Sequence, residues 1–174
     1  MIMCILGLFG TVNAQKVSPK TTYSPVADVA ASVNEDNNVD VIWSWNEIIP
    51  KKIVVDFETG NLNQADFDNN GNAPWVITND AYEGDYAIKS SCEGVESGRS
   101  EISITIDVPF DGIMSFYHKV SSEQFFDNGY FYIDGVQKAV ATGTADWSYR
   151  EYKVKKGVHT YKWSYQKDNM DSAG

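Results

Sequence analysis

The chain has few of the residues on which nucleic-acid binding and catalysis usually depend. Its 174 residues include two histidines and two cysteines, and 24 Asp and Glu outnumber 14 Lys and Arg, for a net charge of -10. A chain this acidic, without a Lys/Arg cluster, repels phosphate backbones, which argues against nucleic acid as a partner. The acidity also has a simpler interpretation, because net charge of one sign keeps a protein soluble.

Recognisable catalytic motifs are absent from the sequence. His118 and His159 lie within predicted strands, with no neighbouring Ser, Cys or Asp arrangement that suggests a triad. There is no zinc-binding H-x-x-x-H pair, no G-x-S-x-G, no phosphate loop and no dinucleotide fingerprint. Asp56 and Glu58 share one predicted strand, so they lack the cleft that a glycosidase needs between its two acids. We therefore predict a protein that is not an enzyme.

Long apolar runs are also missing, apart from a short one at the start of the chain. The first ten residues, MIMCILGLFG, are too few to span a bilayer, and small residues follow them at Val12-Asn13-Ala14. This pattern predicts a signal peptide over residues 1–14, cleaved after Ala14, and a secreted mature protein with no membrane insertion. No Lys or Arg precedes the run, which leaves two further interpretations of a signal peptide: a true start upstream of Met1, or a poor signal. A buried N-terminal strand is the other alternative.

Two apolar runs separated by a polar turn follow a polar stretch, residues 15–25, that we interpret as a linker. In the second run, side chains with a period of two share one face, namely Val39, Val41, Trp43 and Trp45. The pattern predicts a β-hairpin within residues 26–48. Two strands bury too little apolar surface to be stable alone, so the hairpin must pack on something.

From residue 52 onward the sequence alternates short apolar strands with turn residues, and no stretch shows a helical period. Residues 54–57 are predicted to form the first core strand. Asp134-Gly135 is a two-residue turn of the type that needs positive φ at both positions. Later predicted strands are residues 101–108, 114–119, 129–133, 136–141, 147–154 and 158–166. Their spacing predicts an all-β sandwich or barrel.

Several short motifs follow one another along the chain. They are W-S-W at 43–45, V-D-F-E-T-G-N-L at 55–62, D-F-D-N-N-G-N-A-P-W-V-I-T at 66–78, Y-E-G-D-Y-A-I-K-S at 82–90, and residues 113–123 and 130–135. Their order and spacing resemble the cleaved-adhesin domains of secreted Bacteroidetes proteins, including the adhesin regions of gingipain proteases. They also resemble, more loosely, MAM-type and carbohydrate-binding jelly rolls. The resemblance covers about residues 39–167.

The resemblance implies a jelly-roll β-sandwich with a galactose-binding-like fold over residues 52–174, preceded by a fibronectin-like hairpin remnant at 26–48. It further implies a non-catalytic adhesion or ligand-binding module of a larger secreted or cell-surface protein. The expected partners are a host protein or glycan and other domains of the same polypeptide. The alternatives are a carbohydrate-binding accessory module of a glycan-degrading enzyme and a spacer domain of a secreted protease.

The C-terminal stretch departs from that family. There, a final strand follows a loop rich in Ser, Gly and Asp, whereas this sequence stops within such a loop, at residues 168–174. We therefore expect a domain that lacks its last strand. Cys4 lies in the predicted signal peptide, which leaves Cys92 as either a free thiol or half of a bridge whose partner lies elsewhere.

The stretch Asp66–Gly71 matches the first half of a D-x-D-x-N-G calcium loop. Side-chain oxygens of Asp66, Asp68 and Asn70 could converge on Ca²⁺, although Ile77 occupies the position where an EF-hand has its bidentate Glu. The alternative is an ordinary surface loop rich in Asn, Asp and Gly.

Glu58 is the second candidate for binding Ca²⁺. The resemblance to calcium-binding jelly rolls implies that Glu58 ligates a structural ion together with loop carbonyls near Gly84 and an Asp of the final strand. A solvated carboxylate at a strand end is the alternative. Calcium at either place would be structural and would tie loops that no hydrophobic core holds.

Aromatic residues are concentrated on the last strands. Amphipathic rings on an exposed sheet face stack on sugars in lectin-like proteins, so four of them are candidate ligand-binding residues. These are Tyr130, Tyr132, Trp147 and Tyr149. The alternative is that such residues simply fill the core, which we expect for the face that carries Tyr161, Trp163 and Tyr165.

Overall fold

The computed structural model describes residues 2–4, 8–9, 28–33, 39–44 and 53–169. None of them forms a helix long and apolar enough to cross a membrane. All regular elements in these ranges are β-strands, and the strands pair with one another in antiparallel orientation. The strands are β1 Ile2–Cys4, β2 Leu8–Phe9, β3 Asp28–Val33, β4 Val39–Ser44, β5 Phe67–Asn70, β6 Val76–Thr78, β7 Ala87–Lys89, β8 Arg99–Val108, β9 Gly112–Ser121, β10 Asn128–Ile133, β11 Val136–Ala141, β12 Thr144–Val154 and β13 Gly157–Gln166.

The chain divides into two units, and the smaller one comprises Thr11–Lys51. Its strands β3 and β4 pair in register, with Val29 opposite Trp43. This confirms the predicted hairpin. The predicted linker at residues 15–25 lies outside the described residues.

The larger unit, Met1–Gly10 with Lys52–Gly174, contains two sheets. Sheet I has the order β12-β9-β1-β7-β6, with β2 also paired to β9, and sheet II has the order β11-β10-β13-β8-β5. Phe116 of sheet I lies 4.8 Å from Phe131 and 5.6 Å from Trp163 of sheet II, measured between ring centroids. The inner faces of the two sheets thus interdigitate, and the predicted all-β sandwich is confirmed.

Strand β1 pairs with both β7 and β9. Among the described strands it joins the β12–β9 half of sheet I to the β7–β6 half. These residues belong to the predicted signal peptide, but here they form a paired strand, as the alternative prediction expects. Cleavage after Ala14 stays a prediction.

The predicted alternation places the expected side chains inside. Ile102 and Ile104 of β8 are buried, as are Tyr161, Trp163 and Tyr165 of β13. The turn between β10 and β11 has φ of 53° at Asp134 and 76° at Gly135, the positive values expected for a two-residue hairpin loop. The period of two therefore predicted the core of the C-terminal half correctly.

The prediction of a first core strand at residues 54–57 is wrong. Within this stretch Phe57 is fully buried, but its backbone is left-handed, with φ of 63°. Side chains replace the ladder hydrogen bonds there: Phe57 N donates to Gln64 Oε1 at 2.8 Å, and Gln64 Nε2 donates to Asp56 Oδ1 at 2.7 Å. A left-handed residue cannot continue a strand, so the chain turns immediately after burying its aromatic ring.

The expected acidic loop is also different, because much of it is a strand. Phe67–Asn70 forms β5, which pairs with β8 at the edge of sheet II. Phe67 packs against the core, and its ring lies 5.9 Å from that of Phe57. The apolar anchor between two acids thus makes this stretch an edge strand with its acids outward.

Candidate functional site

Four aromatic side chains form a continuous patch on the outer face of sheet I, which we call the aromatic platform. Its members are Tyr82, Tyr117, Trp147 and Tyr149. Tyr117 of β9 pairs directly with Tyr149 of β12, and their ring centroids are 5.1 Å apart. Tyr82, from the loop between β6 and β7, stacks on Tyr117 at 3.8 Å with an interplanar angle of 12°. Trp147 meets Tyr82 edge-on at 6.1 Å.

Strand periodicity and a bulge place these rings on one side of the sheet. Phe116 and His118 of β9 point into the core, so the intervening Tyr117 points outward. The register of β12 against β9 shifts between Ala145 and Ser148, and Trp147 lies within this irregularity. Bulges of this kind redirect a side chain, which here becomes part of the platform.

The platform is open to solvent at its ends and carries polar groups at its rim. Tyr82 is 48% and Tyr149 is 44% exposed. Lys119 lies 6.0 Å from the centre of the Trp147 ring and forms an ion pair of 2.8 Å with Asp80. The pKa of Tyr117 is raised mainly by a hydrogen bond with Tyr82 and to a lesser extent by partial burial. Tyrosine hydroxyls and one ion pair therefore border a partly exposed aromatic surface.

The structure separates the four predicted ligand-binding residues into two pairs. Trp147 and Tyr149 belong to the platform, whereas Tyr130 and Tyr132 lie on β10 in sheet II, with ring centroids 6.2 Å apart. The ammonium of Lys162 already sits 4.8 Å above the Tyr132 ring.

Sequence reasoning missed Tyr82 and Tyr117. The outward register of Tyr117 was readable from the alternation in β9. Tyr82 carried no signal, because its contact joins residues 35 positions apart in the chain.

A second cluster, which we call the acidic corner, consists of Glu123, Asp127 and Asp168. One carboxylate oxygen of each lies within 4.8 Å of the other two. Asp127 N donates to the carbonyl of Glu123 at 3.1 Å, and Asp168 N donates to Asp127 Oδ1 at 3.1 Å. The corner thus joins the loop between β9 and β10 to the segment that follows β13. The sequence analysis did not single out these three acids, because 40 residues separate the last two.

The predicted calcium loop does not gather its oxygens in the same way. Asp66, Asp68 and Asn70 are all exposed, and the last two lie on the outer face of edge strand β5. Asn70 Nδ2 donates to Asp68 Oδ1 at 2.6 Å, so an amide nitrogen rather than an oxygen faces that carboxylate. A calcium ion on these residues stays a prediction.

Glu58 reaches the Gly84 loop as expected, but it meets N–H groups there. Its carboxylate accepts hydrogen bonds of 3.1 Å from Asp85 N and Tyr86 N. Gly84 has φ of 76°, and a Cβ atom at this position would lie 2.3 Å from Glu58 Oε1. The carboxylate therefore holds the loop by accepting hydrogen bonds from its backbone N–H groups. These contacts explain the position of Glu58 without a metal ion. Calcium at Glu58 also stays a prediction.

Two side chains that could take part in catalysis, His118 and Cys92, are buried in the interior. His118 Nε2 accepts a 3.0 Å hydrogen bond from Arg150 Nε, and burial, with a smaller effect of Arg150, lowers the pKa of His118 to about 4. Cys92 is a buried free thiol 3.1 Å from Ser100 Oγ, and burial raises its pKa. A neutral imidazole and a protonated thiol suit packing rather than nucleophilic chemistry.

No family model and no curated protein matches this chain. A comparison with solved structures finds a Paenibacillus sp. cycloisomaltooligosaccharide glucanotransferase complexed with cycloisomaltoheptaose, at 16% identity and a TM-score of 0.34. The match covers 61% of this chain and 18% of the glucanotransferase chain. The likeness is too remote to support a statement about fold or function.

Proposed function

We propose that this protein is a non-catalytic binding module that holds a saccharide on the aromatic platform. The observation that carries the proposal is the set of mutually packed rings on an outer sheet face, with Tyr82 and Tyr149 nearly half exposed. In the same proposal the module belongs to a larger secreted or cell-surface protein of the cleaved-adhesin type.

The platform suits a sugar because it combines exposed aromatic rings with polar groups at the edge. Aromatic rings carry an apolar face that can cover the C–H groups of a pyranose, while their hydroxyls and a neighbouring charge pair can bond its hydroxyls. Tyr82 and Tyr117, stacked at 3.8 Å, hold each other in place, which reduces the entropy lost when a ligand binds. Lys119 and Asp80 stand at the rim to supply the polar contacts.

The outer face of sheet II is less suited to this role. Lys162 covers the Tyr132 ring at 4.8 Å and forms an ion pair of 3.2 Å with Glu101, which also pairs with Arg99 at 2.8 Å. A sugar on this face would have to displace an existing cation–π contact and its ion-pair network. The two faces therefore provide a matched comparison within one chain.

The test is affinity electrophoresis against a panel of soluble glucans, xylans, mannans, mucin and glycosaminoglycans, followed by calorimetry with fragments of any that retards the protein. We expect at least one to bind, Tyr149→Ala to abolish retardation, and the control Tyr130→Ala on sheet II to leave it unchanged.

Two results would count against the proposal. One is the absence of binding to every saccharide while an immobilised host protein is bound, which would favour adhesion to protein. The other is equal loss of saccharide binding in the Tyr149 and Tyr130 variants, which would place the ligand elsewhere.

A further inference from the structure

We propose that the acidic corner is a binding site for a divalent cation with oxygen ligands, of which Ca²⁺ is the best match. Calcium–oxygen distances are about 2.3–2.6 Å, so two oxygens on one ion lie at most about 5 Å apart. One carboxylate oxygen from each of Glu123, Asp127 and Asp168 lies within 4.8 Å of the other two. Carboxylate oxygens alone, without imidazole or thiolate, are the donor set that Ca²⁺ prefers.

A second observation comes from two buried charged atoms without a hydrogen-bond partner among the described residues, Asp127 Oδ2 and Lys167 Nζ. The side chain of Asp127 is 0% exposed, and its Oδ2 accepts no hydrogen bond from any described residue. The side chain of Lys167 is 1% exposed, and its ammonium donates none within the same part of the chain. The two atoms face each other at 3.9 Å, beyond hydrogen-bonding distance.

Burying these two atoms lowers the stability of the fold unless a further group bonds to them. Removing a charged atom from water costs free energy, and an ion pair at 3.9 Å does not offset that cost by itself. A cation bound to Asp127 Oδ2 would satisfy that oxygen, and a water in the coordination shell of the cation could accept from Lys167 Nζ. Calcium sites commonly include such waters.

The net charge of the acidic corner also favours a divalent cation. Three carboxylates and one ammonium, Lys167, leave two negative charges at the corner, which one divalent cation neutralises. Net negative charge is tolerated poorly at a site where Asp127 is completely buried.

The position of the corner indicates what the ion does. Ser97 N donates to the carbonyl of Asp168 at 2.8 Å, and Lys167 N donates to that of Gly98 at 2.9 Å. The cation would therefore fasten the end of β13 to two loops, one between β7 and β8 and the other between β9 and β10. This role is structural and does not depend on the aromatic platform binding a saccharide.

The experiment uses the full chain after treatment with EGTA, with CaCl₂ and Tb³⁺ as probes. A hundredfold excess of Ca²⁺ over its dissociation constant should raise Tm by roughly 5–10 °C for a chain of this size. Tb³⁺ should show luminescence sensitised by nearby aromatic rings, and Ca²⁺ should displace it. Neither readout involves a saccharide, so this test can fail while the platform proposal stands.

Three variants locate the site. Asp127→Asn should remove the Ca²⁺-dependent rise in Tm. Because Asp127 is buried, this variant can fail to fold, so Glu123→Gln provides a milder change. We expect Glu123→Gln to lower the affinity for Tb³⁺ by about tenfold or more, which is the loss typically caused by removing a residue that supports a metal ligand. The control Asp68→Asn, on exposed strand β5, should keep both responses.

Two outcomes would overturn the inference. One is a wild-type chain, stripped of metal by EGTA, whose Tm does not change with Ca²⁺ and which binds no Tb³⁺. The other is a Ca²⁺ response that survives Glu123→Gln but disappears in Asp68→Asn, which would assign the ion to the residues of β5.

Discussion

The two sheets of the sandwich are built differently, and their outer faces differ accordingly. All five strands of sheet II come from residues 67–166, whereas sheet I depends on β1 to join its two halves. On sheet II, a lysine covers the outward Tyr132, while on sheet I the outward rings contact one another. The proposed binding surface therefore lies on the sheet whose two halves are joined, among the described strands, by β1.

Strand β1 also lies between the elements that carry the platform. Tyr117, Trp147 and Tyr149 belong to the half of sheet I formed by β9 and β12, while Tyr82 follows β6 in the other half. The stack of Tyr82 on Tyr117 thus spans the position that β1 fills. Loss of β1 should disturb the platform without touching any of its residues.

The largest effect is therefore expected from deleting residues 1–14. Each ladder hydrogen bond contributes roughly 1 kcal/mol, so loss of β1 and β2 should lower the free energy of unfolding by several kcal/mol. Urea unfolding of the 1–174 and 15–174 chains measures the difference, and saccharide binding should weaken in parallel. Sequencing the N-terminus of exported protein then tells whether the mature chain retains β1. Equal stability of the two chains would show that sheet I does not need β1.

The second effect concerns the platform itself. The double change Trp147→Ala with Tyr149→Ala should reduce saccharide affinity at least about thirtyfold, because aromatic anchors of this kind typically contribute 2 kcal/mol or more. The matched double change Tyr130→Ala with Tyr132→Ala on sheet II should leave affinity unchanged. Calorimetry with one saccharide fragment compares the two, and equal losses would remove the distinction between the faces.

A smaller effect is expected for Tyr82, whose ring stacks on that of Tyr117. Tyr82→Ala removes a stacked pair that typically contributes about 1 kcal/mol beyond its buried area, so affinity should fall roughly fivefold. Tyr82→Phe keeps the ring and should restore most of the affinity. If the Phe variant is as weak as the Ala variant, the hydroxyl rather than the stack is what matters.

The smallest effect belongs to the end of sheet II and depends on pH. A 2.7 Å hydrogen bond from His159 Nδ1 to Asp134 Oδ2 raises the pKa of His159 above its ordinary value of about 6.5. The stabilisation is therefore complete below pH 6.5 and is lost as pH rises through the higher folded-state pKa. We expect at most about 1 kcal/mol, since the pair lies near the surface. Asp134→Asn should flatten this pH dependence above pH 6, while saccharide binding should not change.

The core could be predicted because its signal is local. Alternation in β8, β9 and β13 assigns each side chain to a face without knowledge of the partner strand. The stretch from Val54 to Phe57 misled for a local reason as well, since nothing in its apolar pattern reveals that Gln64 takes the backbone hydrogen bond of Phe57.

The sites were harder to predict because distant segments form them. Asp66, Asp68 and Asn70 are close in sequence but are laid out at and beside an extended edge strand, whereas Asp127 and Asp168 meet only because β10 and β13 are neighbours. Half of the platform, Trp147 and Tyr149, was found from the abundance of aromatic residues. Tyr82 could be recognised as part of the platform only from the fold, which places its loop beside β9.

Binding of a saccharide on the aromatic platform is tested most directly by NMR, with the saccharide of highest affinity titrated into the chain. We expect the Trp147 indole N–H signal and the ring signals of Tyr82 and Tyr149 to shift, and those of Tyr130 and Tyr132 to stay unchanged. Shifts centred on Tyr130 and Tyr132, or no shifts with any saccharide of the panel, would contradict it.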